Sequence, residues 1–170
     1  MPTIAQPALQ PDLGQQFRAA MRKLASTVTV VTTREADEHH GMAATAVTSL
    51  SADPPSLLVC VNRTATMHDT LHRTQEFCVN LLGEQHGPLC DAFGGKLHGA
   101  ARFGVGVWAS DDNGVRYLTD APANIFCRLE QQHSYGTHTI FIGRVERIRV
   151  ADEGLPLLYS NGTMGGFRPL

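Results

Sequence analysis

The sequence predicts a mainly β protein with a few helices, folded as a closed antiparallel barrel, and three observations carry that reading. Short apolar and β-branched runs recur along the chain, and only two or three segments show helical spacing. The two kinds do not alternate as the strand-helix units of a doubly wound parallel sheet do. Gly104-x-Gly106 lacks a third glycine and does not stand between a strand and a helix, so it is no dinucleotide fingerprint. At 170 residues one domain is expected over 15–170, behind an extended or disordered arm, 1–14, that carries three prolines.

Composition narrows the function classes. With 42% apolar residues, 18% charged residues and a formal charge of −2, the chain offers no basic field for nucleic acid or an anionic membrane. No apolar run approaches the length of a membrane span, and the N-terminus lacks the basic and hydrophobic regions of a secretory signal. Cys60, Cys78, Cys90 and Cys127 show no paired short spacing, which fits a reduced, cytoplasmic protein.

Taken in order, Phe17, Ala20, Met21, Leu24 and Ala25 recur at helical spacing and predict a short amphipathic helix from Gln16. Thr and Val alternate over 27–33 as a strand, and the charged run 34–40 reads as a turn with His39 and His40 solvated. Residues 42–50 are small and β-branched and predict a strand that ends before Asp53, because Pro54 and Pro55 donate no backbone hydrogen bond. The apolar run 56–61 predicts a strand buried on both faces that delivers Asn62 and Arg63 at its tip. Around Ala43 to Ser51 the small side chains leave main-chain groups open to a flat, polar-edged ring; the same composition also suits tight strand packing.

Thr66, with Asp69 three residues on, predicts an N-cap and a helix over 65–73. A strand follows over 77–82, then a helical stretch over 84–93 that Gly94 and Gly95 stop. Residues 96–114 read as an irregular lid or edge pinned by Phe103, Val107 and Trp108. The runs 123–130, 139–150 and 155–159 make the last third β-rich.

Few residues offer chemistry of their own. His68 and His72 share a helix face without a third ligand, so no metal site is expected, and His98 reads as solvated. Asp111 and Asp112 fall in a turn, and no Gly-x-Ser-x-Gly elbow supports a hydrolase. His138 differs, because the turn Ser134-Tyr-Gly-Thr-His138 opens into an apolar strand and places the ring at a strand end.

Several of these segments together resemble a known family. Gly41-Met42, Ser49-Leu-Ser-Ala-Asp-Pro-Pro55, Leu58-Val-Cys-Val-Asn62, Phe77-Cys-Val-Asn80, Phe93, Arg102-Phe103 and Gly136-Thr-His138 are similar, in order and spacing, to short-chain flavin reductases of two-component monooxygenases. Phe93-Gly-Gly-Lys96, Arg102-Phe103 and Trp108 resemble in particular the reductases for 4-hydroxyphenylacetate hydroxylation and pyrimidine breakdown. The resemblance implies a homodimeric split antiparallel β-barrel that binds FMN or FAD, takes hydride from NADH or NADPH, and supplies reduced flavin to a partner monooxygenase. It implies that Thr45, Ala46, Ser49, Leu50 and Ser51 meet the isoalloxazine edge through main-chain groups. Cys60, Val61, Asn62 and Thr66 would meet the flavin phosphate, and His138, the catalytic candidate, the nicotinamide. Two positions depart from the pattern: Ala43 stands where many relatives have threonine, and Thr137 where aspartate is frequent. The competing expectation is a split-barrel carrier or sensor that binds flavin or haem without turnover.

Overall fold

Alternation of β-branched and small residues builds one antiparallel sheet of seven strands, seen in a computed structural model that describes residues 12–170. Its order is β3 (Glu38–Ala44), β2 (Thr29–Glu35), β6 (Glu76–Leu81), β9 (Ala123–Tyr135), β10 (His138–Val150), β5 (Pro55–Asn62) and β4 (Val47–Ala52). The sheet curls around a core in which Leu57, Val59 and Val61 of β5 meet Phe77, Val79 and Phe141. Each such side chain, when fully buried, contributes roughly 1.5–3 kcal/mol. Helix α2 (Thr66–Thr74) closes one end of this core with Met67 and Leu71, and is tied to β2 by the ion pair of Arg73 with Glu35. At the other ends of the same strands a mouth of about 330 Å³ stays open between Val47, Ser49, Leu57, Leu81, Ile125 and Val145.

A second core covers the outer side of β3, β2 and β6. A 3₁₀ turn (Glu84–His86), helix α3 (Gly87–Asp91), a π-type turn (Ala92–Lys96) and a further 3₁₀ turn (Gly99–Gly104) supply Leu89, Phe93 and Phe103. Trp108 lies 5.3 Å from the Phe93 ring and 5.1 Å from Phe103. This layer can approach because Gly41 has no side chain: a Cβ there would stand 2.6 Å from Phe93. The hairpin of β7 (Trp108–Ser110) and β8 (Arg116–Leu118) completes the layer. Strands β1 (Ser26–Thr27), β11 (Leu157–Ser160) and β12 (Thr163–Gly166) form a separate sheet.

Several expectations change. Helix α1 (Leu13–Met21) begins inside the expected arm, with the Asp12 carboxylate accepting from the Gln15 N–H at 2.7 Å; residues 1–11 lie outside the described residues. Its apolar stripe is present but not buried in this chain, and Phe17 is 63% exposed. The charged run 34–40 is mostly strand, because the hairpin turns over Ala36 and Asp37 alone. His39 and His40 are therefore half-buried on β3 rather than solvated. The run 42–50 is two strands, interrupted at Thr45 and Ala46 where the chain passes from one edge of the sheet to the other. Thr66 does not cap α2: Ala65 holds that position with no side-chain bond, and Thr66 is the first helical residue. The last third extends further than its apolar runs, since β9 and β10 pair along 13 residues each and continue as an exposed hairpin. Strands β8 and β12 and the turns within 96–114 were not legible from local composition.

Candidate cofactor site

The strand pair β4–β5 carries most of the residues singled out by sequence. The Ala46 carbonyl accepts from the Cys60 N–H at 2.9 Å, and Val47, Thr48 and Ser49 face Val59, Leu58 and Leu57 before a bulge at Leu50. Because β4 is an edge strand among the described residues, one side of its backbone pairs with no strand described, and alternate N–H and C=O groups there can meet a ligand. Thr45, Ala46, Ser49, Leu50 and Ser51 are all exposed. The Ser51 hydroxyl is engaged in its own turn, donating to the Asp53 carbonyl at 3.0 Å and accepting from the Asp53 N–H at 3.2 Å. That leaves its main chain rather than its hydroxyl open to a ligand.

Alternation along β5 separates the other candidates. Val61 is wholly buried and points into the core, so only its main chain can meet a ligand, whereas Cys60 is half-buried and Asn62 exposed. The Asn62 carboxamide oxygen accepts from the N–H and the hydroxyl of Thr64, each at 3.0 Å, and so shapes the turn into α2. Thr66 is exposed on the first turn of the helix, where main-chain N–H groups lack side-chain caps and favour an anion.

His138 lies directly across from Asn62 in the β10–β5 register, exposed, with Nδ1 2.9 Å from the Thr137 hydroxyl. The Arg63 N–H donates to the Thr137 carbonyl at 2.9 Å and locks the two turns together. Thus Asn62, Thr66 and His138 gather at one end of the strand pair, and Ser49, Leu50 and Ser51 at the other. At about 3.3 Å per residue, the six steps from Ser56, opposite Ser51, to Asn62 span about 20 Å, the reach of an extended flavin nucleotide.

Three cavities border the interruption at Thr45 and the strand after it. One is the mouth beside Ser49 and Ser51. Another, of about 350 Å³, lies between Ala43, Ala44 and Thr45 on one side and Cys90, Gly94, Tyr159 and Met164 on the other. The third and largest, about 570 Å³, runs beneath α1 past Phe17, Met21, Thr45 and Tyr159. These sizes suit small ligands. Sequence reasoning placed none of Gly94, Tyr159 and Met164 at a cofactor site; local composition carries no signal that they converge on Thr45.

Other candidates prove to be packing elements. Asn80 is wholly buried: its amide donates to the Val30 carbonyl at 2.8 Å, and its oxygen accepts from the Leu118 N–H at 2.8 Å and the Asn124 amide at 2.9 Å. Arg102 donates to the carbonyls of Gly41 and Leu97. Asp111 accepts from the N–H groups of Asn113 and Val115 and pairs with Arg147 at 3.0 Å, which makes it a turn clasp. Among the described residues no group of three or more His, Cys, Asp or Glu could hold a metal ion, and no helix is long and apolar enough to cross a membrane. All four cysteines are free thiols; burial pushes the Cys127 thiol up to about 12 and raises Cys78 and Cys90, so these three are not nucleophiles.

A split antiparallel barrel with a main-chain ligand edge and a helix start at its far end defines a class, that of flavin-binding split barrels. The comparisons then specify the family. The model of the flavin reductase like domain matches residues 21–168. The chain is 46% identical to the reductase component of the FADH2-dependent resorcinol hydroxylase of Rhizobium sp. strain MTP-10005, over 88% of this chain and 84% of that one. It is 37% identical to the FMN reductase (NADH) RutF of Methylorubrum extorquens strain AM1, over 93% and 79% of the two chains. Among solved structures, the NADH:FAD oxidoreductase of Streptomyces globisporus C-1027, in complex with NAD and FAD fragments, superposes with a TM-score of 0.86 at 28% identity, over 96% and 98%. This chain belongs to the flavin reductase family.

Proposed function

We propose that the protein is an NAD(P)H-dependent flavin reductase that uses FMN or FAD and hands reduced flavin to a partner monooxygenase. The observation that carries this reading is the β4–β5 pair, where the open edge of β4 flanks a span of about 20 Å along β5 from Ser56, opposite Ser51, to Asn62 before α2. Bound together, the two cofactors supply the chemistry, a hydride passing from nicotinamide C4 to flavin N5. The chain's part is alignment. Main-chain N–H groups around Thr45, Ala46 and 49–51 orient the ring edge and stabilise negative charge developing there. Asn62, Thr66 and the first turn of α2 hold the phosphate. His138, beside Asn62, positions the nicotinamide nucleotide rather than moving a proton.

The same reading includes a homodimer, supported by the exposed Phe17, Met21 and Leu24, whose apolar stripe has no cover among the described residues. The free cysteines support a cytoplasmic location. NADH and NADPH are both retained as donors. The test mixes purified protein with FMN or FAD and follows the nicotinamide absorbance band with each donor. Oxidation above background is expected with at least one pair; none with any pair removes the enzyme reading. Sedimentation showing a stable, active monomer removes the dimer.

A further inference from the structure

Helix α2 is fastened to the barrel by a chain of polar contacts that the proposed mechanism does not use. The Asp69 carboxylate Oδ1 lies 2.8 Å from His68 Nδ1, and His68 Nε2 lies 2.9 Å from the Thr139 hydroxyl, which is 3.2 Å from the Ser134 hydroxyl. Thr139 is only 2% exposed and stands next to His138 on β10, opposite Val61 of β5. The imidazole edge also meets the Phe141 ring at 5.5 Å, so packing and hydrogen bonding hold it from two sides. With Asp69 as a carboxylate, Nδ1 carries the proton and Nε2 accepts from Thr139. Thr139 is too buried for this Asp-His-Thr series to act as a nucleophile, which leaves it a mechanical role.

We infer that His68 is a positioning residue that holds the first turn of α2, and with it Thr66 and the Asn62 turn, in register with β10 to receive the flavin phosphate. The inference rests on the proposed placement of that phosphate. It adds a residue whose local sequence gave no such sign, since its partner Thr139 is 71 positions away.

The test compares FMN with riboflavin, which lacks the phosphate, by flavin fluorescence titration of the full-length protein. Wild type should bind FMN more tightly than riboflavin; equal affinity would overturn the phosphate placement and this inference with it. H68F keeps the ring against Phe141 and removes both hydrogen bonds. It should weaken FMN about five- to tenfold, the size of one ordinary hydrogen bond, and leave riboflavin within twofold. H68Q can restore the bond to Thr139 and should recover most of the lost FMN affinity. Equal weakening of both flavins in H68F assigns His68 to the fold alone. Unchanged FMN affinity in H68F, with the wild-type preference intact, overturns the positioning role while the phosphate placement survives.

Discussion

Replacing Asn80 with Ala should cost about 2–5 kcal/mol of folding stability without touching cofactor binding. The side chain is wholly buried and takes part in five hydrogen bonds, with Val30, Thr32, Cys78, Leu118 and Asn124. Two partners keep other bonds: the Thr32 hydroxyl still donates to the Arg116 carbonyl, and the Asn124 amide to the Leu118 carbonyl at 3.0 Å. The Leu118 N–H loses the Asn80 oxygen, and a buried donor left alone costs about 1–3 kcal/mol. The remaining lost bonds and the small cavity add about 1–2 kcal/mol. Urea unfolding should show a lower midpoint with an unchanged slope, and hydrogen exchange should quicken at Leu118. A loss below about 1 kcal/mol would refute the network as a clasp on the β7–β8 hairpin. A raised KM for flavin at unchanged stability would move Asn80 into the cofactor site, where its place in Phe77-Cys-Val-Asn80 could otherwise suggest it belongs.

Three further outcomes are expected. His138→Ala should raise KM for the nicotinamide donor and lower kcat/KM about tenfold, near 1.4 kcal/mol, with flavin affinity close to normal; a collapse of flavin affinity would instead assign the ring to the phosphate end that it shares with Asn62. Thr66→Ala should raise KM for flavin and spare kcat, and should shift stability by less than about 0.5 kcal/mol because Thr66 is an exposed first-turn residue rather than a cap; a larger loss of stability on urea unfolding would contradict that placement. Burial lifts the Cys127 thiol from 9.0 to about 12, so the unfolded chain releases its proton first as pH rises. The stabilisation is complete below pH 9 and is lost through that window at up to about 1.4 kcal/mol per pH unit, a fall that Cys127→Ala should flatten in urea titrations across the range.

Strand positions were legible in the sequence wherever a local property carried them. β-branched alternation marked β2, proline chemistry stopped β4 before Asp53, and the run 56–61, apolar after Ser56, announced a strand with Asn62 at its tip, although Leu58 and Cys60 are half-buried rather than enclosed on that face. The exposure of the stretch from Thr45 to Ser51 was legible too, from the small residues there. His39 and His40 misled because a charged run looks like a turn, yet an edge strand can carry charges whose tips reach solvent. Thr66 looked like a cap because residue type signals capping, while the backbone at Ala65 decides which residue occupies it.

By itself, then, the sequence determined most of the strands of the main sheet and that they enclose a barrel, because propensity and apolar period act between near neighbours. Tertiary structure alone decided what those segments bring together. Register across β5 and β10 sets His138 against Asn62, and curvature carries Tyr159 and Gly94 to Thr45. A helix laid over the barrel end joins His68 to Thr139. These meetings depend on how strands slide past one another, and a shift of one residue would turn every such side chain to the other face, so no local pattern can encode them.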